Sequence, residues 1–158
     1  AGGIMKISTR CRYATLALFD IAFMNEGKPT QVRQIAKRQE IPLRFLEQIF
    51  QDLKRAELVD GKRGRNGGYF LSRSPRDITL KNIIEATEGP MDKRGELPTN
   101  AQPSSQAPPD ARALHDELWR EVADRLYGIF AEYSLEDLVH RAEEAGLSRG
   151  APGYMYFI

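Results

Sequence analysis

Apolar positions first recur at helical spacing. Tyr13, Leu16, Ala17, Ile21 and Met24 predict a helix capped by Ser8 or Thr9 and ended by Asn25-Glu26-Gly27-Lys28-Pro29. Thr30 fits the cap of a short second helix whose apolar face is Val32, Ile35 and Ala36. Ile41-Pro42 interrupts the pattern, because proline suits a first helical turn and not an interior. A third helix follows with Leu43, Leu46, Ile49, Phe50 and Leu53 inward, and it ends near Ala56-Glu57.

The period then changes. Leu58-Val59-Asp60 and Tyr69-Phe70-Leu71 read as two short strands. Between them Gly61-Lys62-Arg63-Gly64-Arg65-Asn66-Gly67-Gly68 carries Asn-Gly and Gly-Gly turn signals, which predicts a hairpin with a basic, flexible tip. Ser74-Pro75-Arg76-Asp77 reads as a loop, and Thr79 as the cap of a short helix through Ile83, Ile84 and Ala86 that stops at Gly89-Pro90. Met91 to Asp110 is proline-rich and polar with little to bury, the pattern of a linker or mobile loop. Leu114, Leu118, Val122, Leu126, Ile129, Phe130 and Tyr133 then form a long helical stripe. Ser134 caps a last helix with Leu135, Leu138 and Val139 inside and Gly146 as its stop.

The expected class is therefore mainly α with a small β-hairpin. Three short helices followed by a hairpin make a winged helix-turn-helix, here over residues 5–90. Residues 91–112 form a flexible loop, 113–145 hold the long and last helices, and 146–158 are a tail. Residues 1–4, ahead of Met5, read as a cloning remnant.

Composition narrows the function. A chain of 158 residues, 41% apolar, suits one compact domain, alone or with an added oligomerisation element. Twenty-three basic residues against 22 acidic leave a net charge of +1, so any nucleic-acid reading rests on where the charges lie. A single cysteine, Cys11, excludes an intrachain disulfide and an all-cysteine metal site within one subunit, and it fits a reducing compartment. With no long apolar run and no signal peptide, the expected location is the cytoplasm, with no membrane partner.

In a winged helix-turn-helix the second helix braces the third, which enters the DNA major groove. The polar residues of the third helix are Arg44, Glu47, Gln48, Gln51 and Lys54. Arginine can grip guanine through two hydrogen bonds, glutamine can grip adenine, and glutamate can accept from a cytosine amine. Lys62, Arg63 and Arg65 at the hairpin tip suit a narrow minor groove or phosphates. Arg10, Arg12, Arg33, Lys37 and Arg38 are candidate phosphate contacts. A charged helix face alone is usually just solvated; the helix, its predecessor and the basic hairpin together carry the reading. The glycine spacing matches neither GxGxxG nor GxxxxGK[ST], and a strand follows it, which argues against a nucleotide cradle.

Met5-Lys-Ile-Ser-Thr-Arg-Cys-Arg-Tyr-Ala14, Phe45-Leu-Glu-Gln-Ile-Phe50, Arg63-Gly-Arg-Asn-Gly-Gly-Tyr-Phe-Leu71 and Ala86-Thr-Glu-Gly-Pro90 resemble the Rrf-type regulators. That family includes iron–sulfur cluster regulators, nitric-oxide sensors and cysteine-metabolism repressors. The resemblance implies a bacterial homodimer on a dyad-symmetric double-stranded DNA operator. It makes residues 113–145 the dimerisation helices, gives base reading to Glu47 and Gln48, and assigns Arg63 to the wing. The alternative for the long stripe is packing on its own domain.

Cluster-binding members carry three cysteines after the fourth helix and often a histidine before a Leu-Trp pair. Here residues 91–110 hold no cysteine, and alignment on Leu118-Trp119 puts Asp116 at the histidine position and Ala113 at the last cysteine. The expected cofactor is therefore none, with no metal ligands; a cluster or nitric-oxide sensor whose ligands are absent or replaced is the alternative within the family. The tail Tyr154-Met155-Tyr156-Phe157-Ile158 resembles that of the cysteine-metabolism repressors and the isoleucine end by which serine acetyltransferase enters O-acetylserine sulfhydrylase. An apolar tail ending in a carboxylate could enter that enzyme's substrate-carboxylate pocket, or pack on its own dimer. Cys11 is a candidate redox thiol, since a helix start and flanking Arg10 and Arg12 lower a thiol pKa; an inert thiol is the alternative. His115 and His140 have no nucleophile or metal spacing, so no enzyme is expected. A protein-interaction module on the same scaffold is the reading from another class, and its basic wing speaks against it.

Overall fold

A computed structural model describes residues 8–89 and 110–149. The elements run α1 (Thr9–Met24), α2 (Val32–Gln39), α3 (Leu43–Arg55), β1 (Val59–Lys62), β2 (Gly68–Leu71), a 3-10 turn (Pro75–Asp77), α4 (Leu80–Glu88), α5 (Ala111–Glu132) and α6 (Leu135–Glu144). The winged helix-turn-helix expected from the pattern is present. β1 and β2 pair antiparallel, with Val59 opposite Leu71 and Lys62 opposite Gly68.

α1 is the hub, packed by α2, α3, α4, α6 and β2. Its sequence pattern suggested one stripe, but Ala14, Ala17, Leu18, Phe19, Ile21 and Phe23 are all buried. Leu16, expected inside, is instead exposed, and Met24 is half-buried. A helix surrounded by neighbours needs apolar residues on most of its circumference, which blurs the 3.6-residue signal. Ser8 caps it, its hydroxyl accepting from the Cys11 N–H.

Thr30 does not cap α2. It is buried and pairs with Tyr69, each backbone N–H donating to the other's carbonyl at 2.8 and 2.9 Å. The cap position falls to Gln31, which makes no side-chain capping bond. The Thr30 bridge anchors the hairpin to the helix-turn-helix. It also explains Gly68, where a Cβ would lie 2.4 Å from the Thr30 carbonyl carbon.

α3 behaves as its periodicity requires. Leu46, Ile49, Phe50 and Leu53 are fully buried, and Phe50 stacks on Tyr69 at 4.6 Å. Its end is a Schellman motif: Glu57 N–H donates to the Lys54 carbonyl and Leu58 N–H to that of Leu53, both at 3.0 Å, with Glu57 at φ 58°. α4 and α6 begin alike. Thr79 and Ser134 each sit in a capping box, with Asn82 and Asp137 as the reciprocal partners. The two caps pair with each other through Leu80 N–H to Tyr133 O and Leu135 N–H to Ile78 O.

α5 is two-faced. Tyr127 is buried and Ala123 and Phe130 lean on the core, whereas Leu114, Leu118, Val122, Ile129 and Tyr133 are exposed. Its 22 residues make it about 33 Å long. No helix among the described residues is long and apolar enough to cross a membrane.

Candidate nucleic-acid interface

Two consecutive elements hold most of the singled-out residues. On α3 the buried row leaves Arg44, Glu47, Gln48, Gln51 and Lys54 exposed. Spacings of four and three put Arg44, Gln48 and Gln51 in one line along the helix. The hairpin tip exposes Lys62, Arg63 and Arg65. Its tightness is set by Gly67, whose N–H bonds to the Gly64 carbonyl at 3.0 Å; a Cβ there would lie 2.2 Å from the Lys62 carbonyl oxygen. Arg12, Arg33 and Lys37 are also exposed.

Two of the expected phosphate contacts are otherwise engaged. Arg38 donates through Nη2 and Nε to Asp20 at 2.6 and 3.0 Å, and Gln39 adds a third bond to the same carboxylate at 2.9 Å. Asp20 is fully buried in α1, and its hydrogen bond holds the Arg38 guanidinium above its already high pKa against the opposing effect of burial. This chelate fixes α2 on α1. Arg10 is likewise paired with Asp52 of α3. Both arginines serve the scaffold, because each is paired with a carboxylate and only partly exposed, Arg10 at 30% and Arg38 at 25%. Lys54 is exposed but lies 3.6 Å from Asp60 of the hairpin.

Arg55 was missed by the sequence reading. It is exposed, follows Gln51 by four residues on the same line, and bonds to Asp52 at 3.1 Å. The spacing alone could have found it; its place beside the expected helix end hid it. Of the other residues, Cys11 is buried at 4% exposure in the first turn of α1, so oxidant reaches the thiol only if that turn opens. His115 faces Asp116 at 2.9 Å, and His140 is exposed. The tail residues 154–158 lie outside the described residues, as do 90–109.

A family model described as an iron-dependent transcriptional regulator, Rrf2, matches residues 7–141. The HTH-type transcriptional regulator IscR of Photorhabdus laumondii is 33% identical over 139 residues, 88% of this chain and 82% of its own. Among solved structures, IscR of T. potens is similar with a TM-score of 0.66 and 32% identity, covering 97% of each chain. The global cysteine regulator CymR of B. subtilis gives 0.65 and 30%, covering 87% of this chain and 98% of its own. These relatives are transcriptional regulators and not enzymes.

The family description implies iron, and the donors of this chain do not fit it. Cys11 is the one cysteine and is buried in a helix. Residues 90–109 contain neither cysteine nor histidine. Among the described residues no three His, Cys, Asp or Glu side chains gather where a metal ion could be held. Iron–sulfur centres are held chiefly by several cysteine thiolates, and one cysteine per chain falls short of that set.

Proposed function

The chain belongs to the Rrf2 family of transcriptional regulators, and from that premise we propose that it is a cytoplasmic repressor that grips a dyad-symmetric DNA operator as a homodimer. One observation carries the reading: α3 seals one face into the core and offers Arg44, Glu47, Gln48 and Gln51 on the other, directly ahead of a tip bearing Lys62, Arg63 and Arg65. Base edges are read by such side chains, while tip cations meet phosphates or a narrow minor groove. Arg12, Arg33, Lys37 and the partly neutralised Lys54 supply further phosphate contacts, which position without specifying. The exposed α5 stripe, with Leu118 58% and Trp119 51% exposed, supports dimerisation, since so large an apolar row calls for a cover.

The controlled genes belong to cysteine and sulfur supply in this reading. Support comes from the likeness to the cysteine regulator and from the tail Tyr154-Met155-Tyr156-Phe157-Ile158, which suits capture by O-acetylserine sulfhydrylase. The IscR relatives favour an iron–sulfur sensor instead, and the donor set opposes it. Two experiments separate these. Full-length protein should enrich a defined sequence from a random pool of duplexes; an unenriched pool contradicts the DNA reading. Immobilised sulfhydrylase should retain the full chain and release a form lacking Ile158; equal retention removes the sulfur assignment, as does a brown colour after purification without air.

A further inference from the structure

Asp52 is a carboxylate on the recognition helix, where a negative charge opposes DNA. It is nevertheless retained between two guanidiniums. Arg10 of α1 contacts one of its oxygens and Arg55 the other, the latter at 3.1 Å. Asp52 is largely buried, while Arg55 is 77% exposed. The arrangement has an anchored and a free end. At the anchored end, the α1 first turn is held by the Ser8 cap and by the contact of the Ser8 hydroxyl with Glu88 at the end of α4. Arg10 keeps its Nε buried with no hydrogen-bond partner among the described residues. An orphan N–H of that kind costs stability and offsets part of what the Arg10–Asp52 pair, 30% and 16% exposed, returns. Beyond any stability it adds, the cluster ties α3 to α1 and holds Arg55 in place.

Arg55 continues the row Arg44, Gln48, Gln51 by the same spacing. We propose that Arg55 is a further DNA-facing residue of α3, the fourth in the row begun by Arg44, Gln48 and Gln51, and that Asp52 is a positioning residue that holds it there by way of Arg10, without touching DNA itself. Among the exposed cations of α3, Arg44, Lys54 and Arg55, Arg55 alone is tied through its own helix to α1, whereas Lys54 leans on the hairpin at Asp60. The inference rests on the DNA reading above.

The test uses full-length protein and the duplex it enriches from the random pool, with affinity read by fluorescence anisotropy and folding by thermal melting. Arg55→Ala should weaken binding about tenfold, as loss of one base or phosphate contact does. Asp52→Asn, which keeps shape and removes charge, should weaken the selected duplex several-fold, and the added loss should vanish in the Arg55→Ala background. Arg55→Lys should recover only part of the affinity, because an ammonium cannot take the forked geometry. Tighter binding by Asp52→Asn to selected and random duplexes alike would mean that the carboxylate merely repels DNA, and would overturn the proposal. So would a loss in Asp52→Asn that persists undiminished without Arg55, which marks a purely structural role. If wild-type protein enriches no duplex, the DNA reading falls first and this inference with it; if it does and Asp52→Asn binds as wild type, the inference alone falls.

Discussion

At the scale of single residues, the interface divides into side chains that would read sequence and side chains that would hold position. Gln48→Ala should relax base preference at one operator position, costing roughly 1–3 kcal/mol against the preferred base and little against the rest. Arg63→Ala should weaken every duplex alike and flatten the salt dependence by about one unit of slope. Competition binding across a set of single-base operator variants distinguishes the two patterns. Scaffold residues behave differently. Asp20 is fully buried with Arg38 and Gln39 bound to it, so Asp20→Ala strands a guanidinium and should cost about 3–5 kcal/mol of unfolding free energy by denaturant titration. Sequence could not separate these classes. Arg38 and Arg33 look alike in a basic stretch, and only the fold brings Asp20, eighteen residues before Arg38, into contact with it.

At the scale of elements, helix ends were legible where the chemistry is local. Thr79 and Ser134 signal capping boxes by type and spacing, and Gly146 signals the stop of α6, where Gly146 and Leu147 close a Schellman motif. The same motif ends α3 with Glu57 in the glycine place, so nothing in that residue type announced its left-handed conformation. Thr30 misled for the opposite reason: a good cap residue was taken by a non-local partner, Tyr69. Two predictions follow from these ends. Glu57→Gly should raise stability by about 1 kcal/mol, since a non-glycine residue at positive φ is strained, and the melting temperature should rise. Asp137 accepts from the backbone N–H and the hydroxyl of Ser134, which holds its carboxyl below the ordinary range. A lowered folded pKa means that its contribution is complete above the unfolded carboxylate value near about 3.9 and is lost as pH falls through the folded one. Asp137→Asn should therefore melt with a weaker pH dependence in that acid range, read by circular dichroism.

At the scale of the whole molecule, the organising feature is α5. One face joins the domain through Ala123, Tyr127 and Phe130, and the other carries Leu114, Leu118, Val122 and Ile129 into solvent. The sequence revealed the stripe but not which of its members would be covered, because Phe130 shares its spacing while packing on the core. Charge was uninformative at this scale, since a net +1 conceals a basic tip and an acidic remainder. Leu118→Glu should convert the protein to a monomer by light scattering and lower DNA affinity while leaving the helix-turn-helix folded. The central claim, a symmetric dimer gripping DNA with α3 and the wing, is tested most directly by hydroxyl-radical footprinting of the enriched duplex with binding stoichiometry measured alongside. The account predicts two chains per site and matching protection on two half-sites related by a dyad. One chain per site, or a single unsymmetric patch of protection, would contradict it.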